Sequence, residues 1–307
     1  MRLAIIDLGT NTFTLILVEI KQAEYSVIYK NKVAVKLGED GISEGIIGKD
    51  AYQRGLYAIE QHKKDIDSYK IDKTIAFATS AIRSTSNGIE FVNEVNQKFG
   101  VKIEIIDGDK EAELIYHGVK QAFNLGNHNS LIMDIGGGST EFIIANNQNI
   151  LWKKSFQLGV SRLKENFKPK DPIIQSDIDS LRAHFEIELV SLMDAIKTHQ
   201  PSTLVGSSGS FDSLATMIGH KYLNKDVLFE NTEFTFAIEN LNWAHQYLIE
   251  SDYLKRMNTV GISKMRAKMI VIASVFIQYI IEKSEVEKVR LSTFSLKEGV
   301  IFSEMNN

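Results

Sequence analysis

Residues 131–141 read LIMDIGGGSTE, and no other stretch of the 307-residue chain narrows its possible folds as far. Apolar residues run into Asp134, three glycines follow Ile135, and Ser139, Thr140 and Glu141 lead into a second apolar run at 142–145. That pattern predicts a strand, a turn and a strand. Gly136, Gly137 and Gly138 carry no Cβ, so successive backbone N–H groups can close on something small and anionic. Asp134 at the mouth of such a turn would repel a bare phosphate, which a divalent cation between them would relieve. Phosphate with a divalent cation is therefore the ligand class indicated; the plain alternative is an ordinary glycine-rich hairpin.

The pattern occurs twice. Residues 4–12 read AIIDLGTNT, again an apolar strand, an Asp, a hydrophobic residue, a Gly and hydroxyl residues before another apolar run. Aligning Asp7 with Asp134 puts Gly9 on Gly136, with Thr12 and Ser139 as nearby hydroxyls. Copies about 127 residues apart are too widely spaced for a solenoid and indicate two domains of similar build, their loops facing as a clamp. The chain length suits two such domains.

Composition removes several function classes. The chain is 44% hydrophobic and 24% charged, as expected of a globular protein, with a formal net charge of −4. No general attraction to nucleic acid or to an anionic membrane follows from that balance, so a polyanion would need a local basic patch. There is no Cys, which excludes thiol catalysis and Cys-based zinc sites. His62, His117, His128, His184, His199, His220 and His245 form no HxH or HxxxH pair, so a histidine metal site is not expected. The amino terminus enters a core strand with no visible targeting signal, and a cytoplasmic location is expected. The apolar run at 269–281 is too short for a bilayer and reads as a buried helix.

In order, strands are expected at 2–8, 12–20 and 25–37, a glycine-rich loop at 37–48 and a helix at 49–69. A strand at 73–78 leads into a TSAIR turn at 79–83, a helix at 87–99, a strand at 101–106 and a helix at 109–123 that links the halves. The second half repeats the plan with strands at 131–134, 140–145 and 150–157, a short helix after Gly159, a linker at 169–172, one long helix at 173–198 and a strand at 202–205. A GSSGS turn (Gly206, Ser207, Ser208, Gly209, Ser210) opens a helix at 211–218. The remainder is expected to be helical up to a strand at 288–292, and a final helix at 296–304 is placed to return to the first domain. Strands alternating with helices predict an α/β protein with ligands at the carboxyl ends of its strands. The halves are assigned as 1–124 with 295–307, and 125–294.

Two further stretches bear on chemistry. Residues 105–115, IIDGDKEAELI, place Glu111 in the first turn of a helix where the halves join; acidic residues there are also ordinary caps and dipole partners. Arg83, beyond the carboxyl end of a strand, is suited to a phosphate but could equally be a solvated arginine.

The ordered set AIIDLGTNT, TSAIR, DGDKEAELI, MDIGGGSTE, LGVSRL, GSSGS and SLKEGV resembles the Ppx/GppA family of exopolyphosphatases and guanosine pentaphosphate phosphohydrolases, in its short two-domain form. The resemblance implies two ribonuclease-H-like domains of the actin-like ATPase superfamily around a central cleft. It implies release of terminal phosphate from inorganic polyphosphate, conversion of pppGpp to ppGpp, or both, with Mg²⁺ or Mn²⁺. Carried over, Glu111 is the base that activates water and Arg83 steadies the phosphate. Asp134 and Glu141 lie at the metal, while Asp7, Gly9, Thr10, Asn11 and Thr12 form the first phosphate loop and Gly136, Gly137, Gly138 and Ser139 the second. Gly206, Ser207, Ser208 and Gly209 are added as a further anion or nucleotide turn. A homodimer is expected, with no nucleic-acid or membrane partner. The chain departs from the family pattern at Glu113, at Lys110 and in STFSLKEG at 292–299, which lacks the family's Asp, Gly and Arg. An ATP-dependent member of the same superfamily and a weakly catalytic binding or sensor protein are the competing readings.

Overall fold

A strand buried on both faces needs apolar residues throughout, whereas an edge strand can alternate. The strands β1 (Arg2–Leu8), β2 (Thr12–Lys21), β6 (Ser130–Ile135) and β7 (Thr140–Ala145) are of the first kind, and β3 (Glu24–Ala34) and β8 (Ile150–Phe156) are of the second. The remaining strands are β4 (Lys73–Ala78), β5 (Ile103–Ile105), β9 (Thr203–Ser207), β10 (Glu233–Phe236) and β11 (Lys288–Ser292). A computed structural model describes residues 1–22, 24–39 and 41–306.

Two sheets result, ordered β3-β2-β1-β4-β5 and β10-β11-β9-β6-β7-β8. In the first, β1 pairs antiparallel with β2 and parallel with β4; in the second, β6 pairs antiparallel with β7 and parallel with β9. Read from β8, the second sheet repeats the first, with β10 added at its far edge. The duplication holds to the residue across the hairpins: Asp7 lies opposite Thr14, and Asp134 opposite Glu141. Each turn closes alike, Gly9 N donating to Thr12 O at 3.1 Å and Gly136 N to Ser139 O at 3.0 Å.

Around the first sheet lie α1 (Lys49–Asp67), α2 (Ser80–Arg83), α3 (Gly88–Phe99) and α4 (Gly108–Ala122). The second half adds α5 (Val160–Phe167), α6 (Gln175–Glu188), α7 (Val190–His199), α8 (Gly209–Ile218), α9 (Ile238–Ile249), α10 (Tyr253–Met257), α11 (Ile270–Ser284) and α12 (Leu296–Met305). Three sequence expectations are corrected. TSAIR is a single helical turn, α2, rather than a plain turn. The long helix at 173–198 is two helices, because the backbone leaves helical geometry at Leu189 (φ −97°, ψ 14°), whose side chain is driven into the core. The stretch before 288 contains β10, a four-residue edge strand on β11. Such a strand is too short for its period to show. The apolar run at 269–281 does form a buried helix, α11, and among the described residues no helix is long and apolar enough to cross a membrane.

Helices α4 and α12 lie between the sheets. One apolar cluster joins Leu3, Ile5 and Phe77 of the first sheet to Ile132, Ile143 and Val205 of the second, through Ala112, Ile115 and Val119 of α4 and Leu296, Val300 and Ile301 of α12. The two helices cross with their backbones in contact: a Cβ at Gly118 would stand 2.0 Å from Ser295 O, and one at Gly299 would stand 1.9 Å from Leu114 O. At the outer end Phe302 packs edge-on against Tyr25, and Lys73 pairs with Glu304 at 2.5 Å. Since α4 carries Glu111, this crossing sets the height of that carboxylate above the cleft. Gly299→Ala is expected to cost about 1–3 kcal/mol, as overpacked sites do. A thermal melt checks it, and an unchanged midpoint would show that the crossing yields at no cost.

Candidate active site

The turns after β1 and β6 face one cavity of about 300 Å³, lined by Asp7, Gly9–Thr12, Gly136–Ser139, Glu111 and Asp134 among others. Their orientation follows from what holds their carbonyls. Behind the second turn, Val160 N donates to Gly136 O at 3.0 Å, Ser161 N to Gly137 O at 2.8 Å, and Arg162 Nε to Gly138 O at 3.1 Å. A trans peptide points its C=O and N–H in opposite directions. With these three carbonyls turned to the start of α5, the N–H groups of Gly137, Gly138 and Ser139 face away from it. Gly159 permits this approach, since a Cβ there would lie 2.3 Å from the Gly137 carbonyl carbon. The first turn is held in the same way from the segment after β3. Val35 N and Lys36 N donate to Asn11 O at 3.0 and 2.9 Å, and Leu37 N to Thr10 O at 2.7 Å, which turns the N–H groups of Asn11 and Thr12 outward.

Beside these donors stand the acids. Asp107 caps α4, its side chain accepting from Lys110 N at 2.7 Å, and one turn later Glu111 is buried with 7% of its surface exposed. Arg83 Nη1, from α2, donates to Glu111 Oε2 at 2.9 Å and to Ile106 O at 2.8 Å. Burial, and then the charge of Glu141, hold the Glu111 carboxyl well above its ordinary value, while Arg83 pulls the other way. Glu141 accepts from Ser155 Oγ at 2.6 Å; burial pushes its carboxyl up to about 7, with Ser155 and Ser139 opposing and Asp134 adding to the rise. Asp134 Oδ2 accepts from Ser207 Oγ at 2.5 Å and also from Ser295 Oγ. Its Oδ1 takes part in no hydrogen bond among the described residues. Glu113 points elsewhere and pairs with Lys110 and Lys153, each at 3.8 Å.

Sequence reading missed the cations that face this acidic wall. Lys30, Lys32, Arg266 and Lys297 line the same cavity. Burial, then the charges of Arg266 and Lys297, bring the Lys32 amine down to about 8. Burial works against the Lys297 charge, yet Glu298, Asp7, Asp134 and Asp212 outweigh it and raise its amine. Lys297 Nζ lies 3.9 Å from Asp7 Oδ2; burial raises the Asp7 carboxyl against the pull of Lys297 and Lys32. Lys297 and Ser295 both belong to the divergent 292–299 stretch. There Ser295 and Glu298 form a capping box on α12, and Lys297 still places a cation in the cavity. Arg266 lies over Gly209, where a Cβ would fall 1.8 Å from Nη2.

The GSSGS turn divides. Ser208, Gly209 and Ser210 reach the cavity, whereas Gly206 and Ser207, expected at an anion, are the last residues of β9 and do not line it. Gly206 gives way to the Phe211 ring, which a Cβ would meet at 2.1 Å, and Ser207 serves Asp134. Arg83 and Glu141 touch the site through Glu111 and Ser139 rather than by lining the cavity themselves. Among the described residues no group of three or more His, Cys, Asp or Glu side chains is arranged to hold a metal ion. The arrangement can bind a terminal phosphate from two sides and set a carboxylate beside it.

The chain matches the model of the Ppx/GppA phosphatase family over residues 16–307. A solved exopolyphosphatase from Cytophaga hutchinsonii is 37% identical, and the alignment covers 100% of this chain and 98% of that one with a TM-score of 0.96. Exopolyphosphatase 1 of Mycobacterium tuberculosis is 25% identical over 309 residues, covering 100% of this chain and 89% of that protein. A bifunctional 3-dehydroquinate synthase/phosphatase from Fusobacterium nucleatum is 38% identical over 172 residues, which are 53% of this chain and 26% of that longer protein. With nearly the whole chain covered by the family match and both turns facing one cavity, the chain belongs to the Ppx/GppA phosphatase family.

Proposed function

We propose that this protein is an exopolyphosphatase, which releases the terminal phosphate of inorganic polyphosphate by attack of a water that Glu111 deprotonates. The observation that carries this reading is the pair of turns whose N–H groups face one cavity beside a buried, Arg83-bound carboxylate. Phosphoryl transfer asks for charge neutralisation, in-line positioning and a held water more than for covalent chemistry. The turns and Arg266 would take the phosphate oxygens, and Lys32 and Lys297 would carry the next units of the chain. Glu111, raised above the ordinary carboxylate range, is a stronger base than an exposed glutamate once ionised, and Arg83 holds it in place. Conversion of pppGpp to ppGpp would use the same end-on chemistry. The cavity wall carries no aromatic ring among the described residues, which favours a bare phosphate chain over one ending in a base.

The residues also fit a divalent cation. Glu111, Glu141 and Asp134 act on one another as like charges, and Asp134 Oδ1 makes no hydrogen bond among the described residues. Mg²⁺ or Mn²⁺ needs only one or two carboxylates when phosphate and water complete its shell. Asp134, which lines the cavity, would hold the ion, with Glu141 paired across the hairpin behind it, and the ion when bound would neutralise the phosphate oxygens.

Phosphate release from polyphosphate and from pppGpp, measured side by side, tests the substrate; faster release from pppGpp would overturn the choice. Chelation of divalent cations is expected to abolish turnover, and full activity in chelator would remove the cation from the reaction. Glu111→Gln is expected to lower kcat by roughly 10²–10⁴ while substrate still binds. Glu113→Gln, which loses only two lysine partners at 3.8 Å, is expected to stay near wild type, so equal mild losses in the two would instead support a sensor. A fourth outcome concerns pH. Because Glu141 rises from 4.5 to about 7 on folding, its stabilising contribution is complete below pH 4.5 and lost as pH climbs through 7. In chelator the thermal midpoint is therefore expected to fall over that window, and Glu141→Gln to flatten the fall; equal slopes would show that Glu141 is not the titrating group.

A further inference from the structure

We propose that Arg162 is a positioning residue that locks the two halves in the arrangement where the second phosphate turn and the Arg83–Glu111 pair face one cavity. The inference rests on the phosphate-binding reading of the turns. Arg162 extends from α5, in the second half, and is buried with 9% of its surface exposed. Its guanidinium makes three bonds in three directions: Nε to Gly138 O at 3.1 Å, Nη1 to Ile42 O at 3.0 Å, and Nη2 to Ser84 Oγ at 2.9 Å. The first partner is the carbonyl whose orientation turns the Ser139 N–H outward. The second and third belong to the first half, and Ser84 directly follows Arg83 at the end of α2.

All three bonds can coexist only while the halves keep this spacing. Neighbouring contacts run the same way. Ser161 Oγ donates to Asn11 Oδ1 at 2.7 Å, and a Cβ on Gly137 would meet Asn11 Nδ2 at 2.7 Å, so the two turns touch beside α5. Among the described residues no carboxylate lies within ion-pair distance of Arg162; Glu165, three residues along α5, favours its charge from farther off, and the planar fork is what fits its three acceptors. Lysine, a single ammonium on a flexible stem, cannot reach carbonyls and a hydroxyl set this far apart.

The test is steady-state release of phosphate from polyphosphate by wild type, Arg162→Ala, Arg162→Lys and Ser43→Ala. Ser43 bonds Asn166 across the same junction at 2.6 Å but outside the cavity, so it controls for loss of any inter-half contact. Arg162→Ala is expected to lose about 100-fold in kcat/KM, with KM raised and kcat lowered, as for a misplacement on the order of 1 Å. Free guanidinium is expected to restore part of the loss, Arg162→Lys little of it, and Ser43→Ala to match wild type. A folded Arg162→Ala enzyme of wild-type kcat/KM, or full recovery in Arg162→Lys, would overturn the proposal. Should Arg162→Ala fail to fold, Ser84→Ala removes one acceptor only. Its amides at Ser84 and Ser86, now bonded to Ser80 O and Gly45 O, are expected to exchange hydrogen faster, and unchanged exchange would overturn the proposal. That readout needs no turnover. If wild type releases no phosphate from polyphosphate, the functional reading fails and Arg162 is still judged by exchange.

Discussion

Everything at this site depends on which way a few peptide planes face. A glycine-rich turn can present carbonyls or N–H groups to a cleft, and only the second choice suits an anion. In this chain the choice is made from behind, by donors that bind the carbonyls of Gly136, Gly137 and Gly138 on one side and of Thr10 and Asn11 on the other. Those donors come from equivalent places in the duplicated plan, the segments that follow β3 and β8. The two turns are thus one device built twice, and the fold is the means by which the copies come face to face.

The acids then differ where the copies differ. Thr14 in the first half stands where Glu141 stands in the second, each opposite the penultimate Asp of the preceding strand. The first hairpin therefore contributes a single carboxylate, Asp7, with hydroxyls and N–H groups, and the second contributes the pair Asp134 and Glu141. Glu111 enters from neither hairpin but from α4, the helix shared by both halves, and burial with Glu141 nearby raises its carboxyl. A symmetric clamp would hold a phosphate without preference for one face. The asymmetry places the buried carboxylates on one side of the cavity, with the lysines and Arg266 on its other walls.

The sequence shows the duplicated hairpins clearly, because buried strands flanking an Asp and a Gly leave a pattern that survives without tertiary context. It shows Glu111 less clearly, since acids in a first helical turn are common, and it shows Arg83 only as an arginine after a strand. Lys32, Arg266 and Ser155 leave no local signal, and the stretches that hold Arg162 and Ser295 do not say what these side chains reach. Their partners are distant in the chain: Ser295 reaches Asp134 across 161 positions, and Arg162 reaches Ile42 across 120. The break at Leu189 and the strand β10 were illegible for a different reason. The apolar pattern runs on through the first, and the second is too short to show a period.

The divergent 292–299 stretch shows how far a motif comparison reaches. Read as letters, STFSLKEG lacks an Asp, a Gly and an Arg. Read in place, Ser295 donates to Asp134 and caps α12, Lys297 supplies a cation opposite Asp7, and Gly299 allows α12 to cross α4 with backbones touching. One short segment thus fixes Asp134 of β6, balances Asp7 of β1, and seats the helix beneath Glu111. What such a site requires is an acceptor held, a charge balanced and a helix approached closely, and more than one set of side chains can meet those three demands.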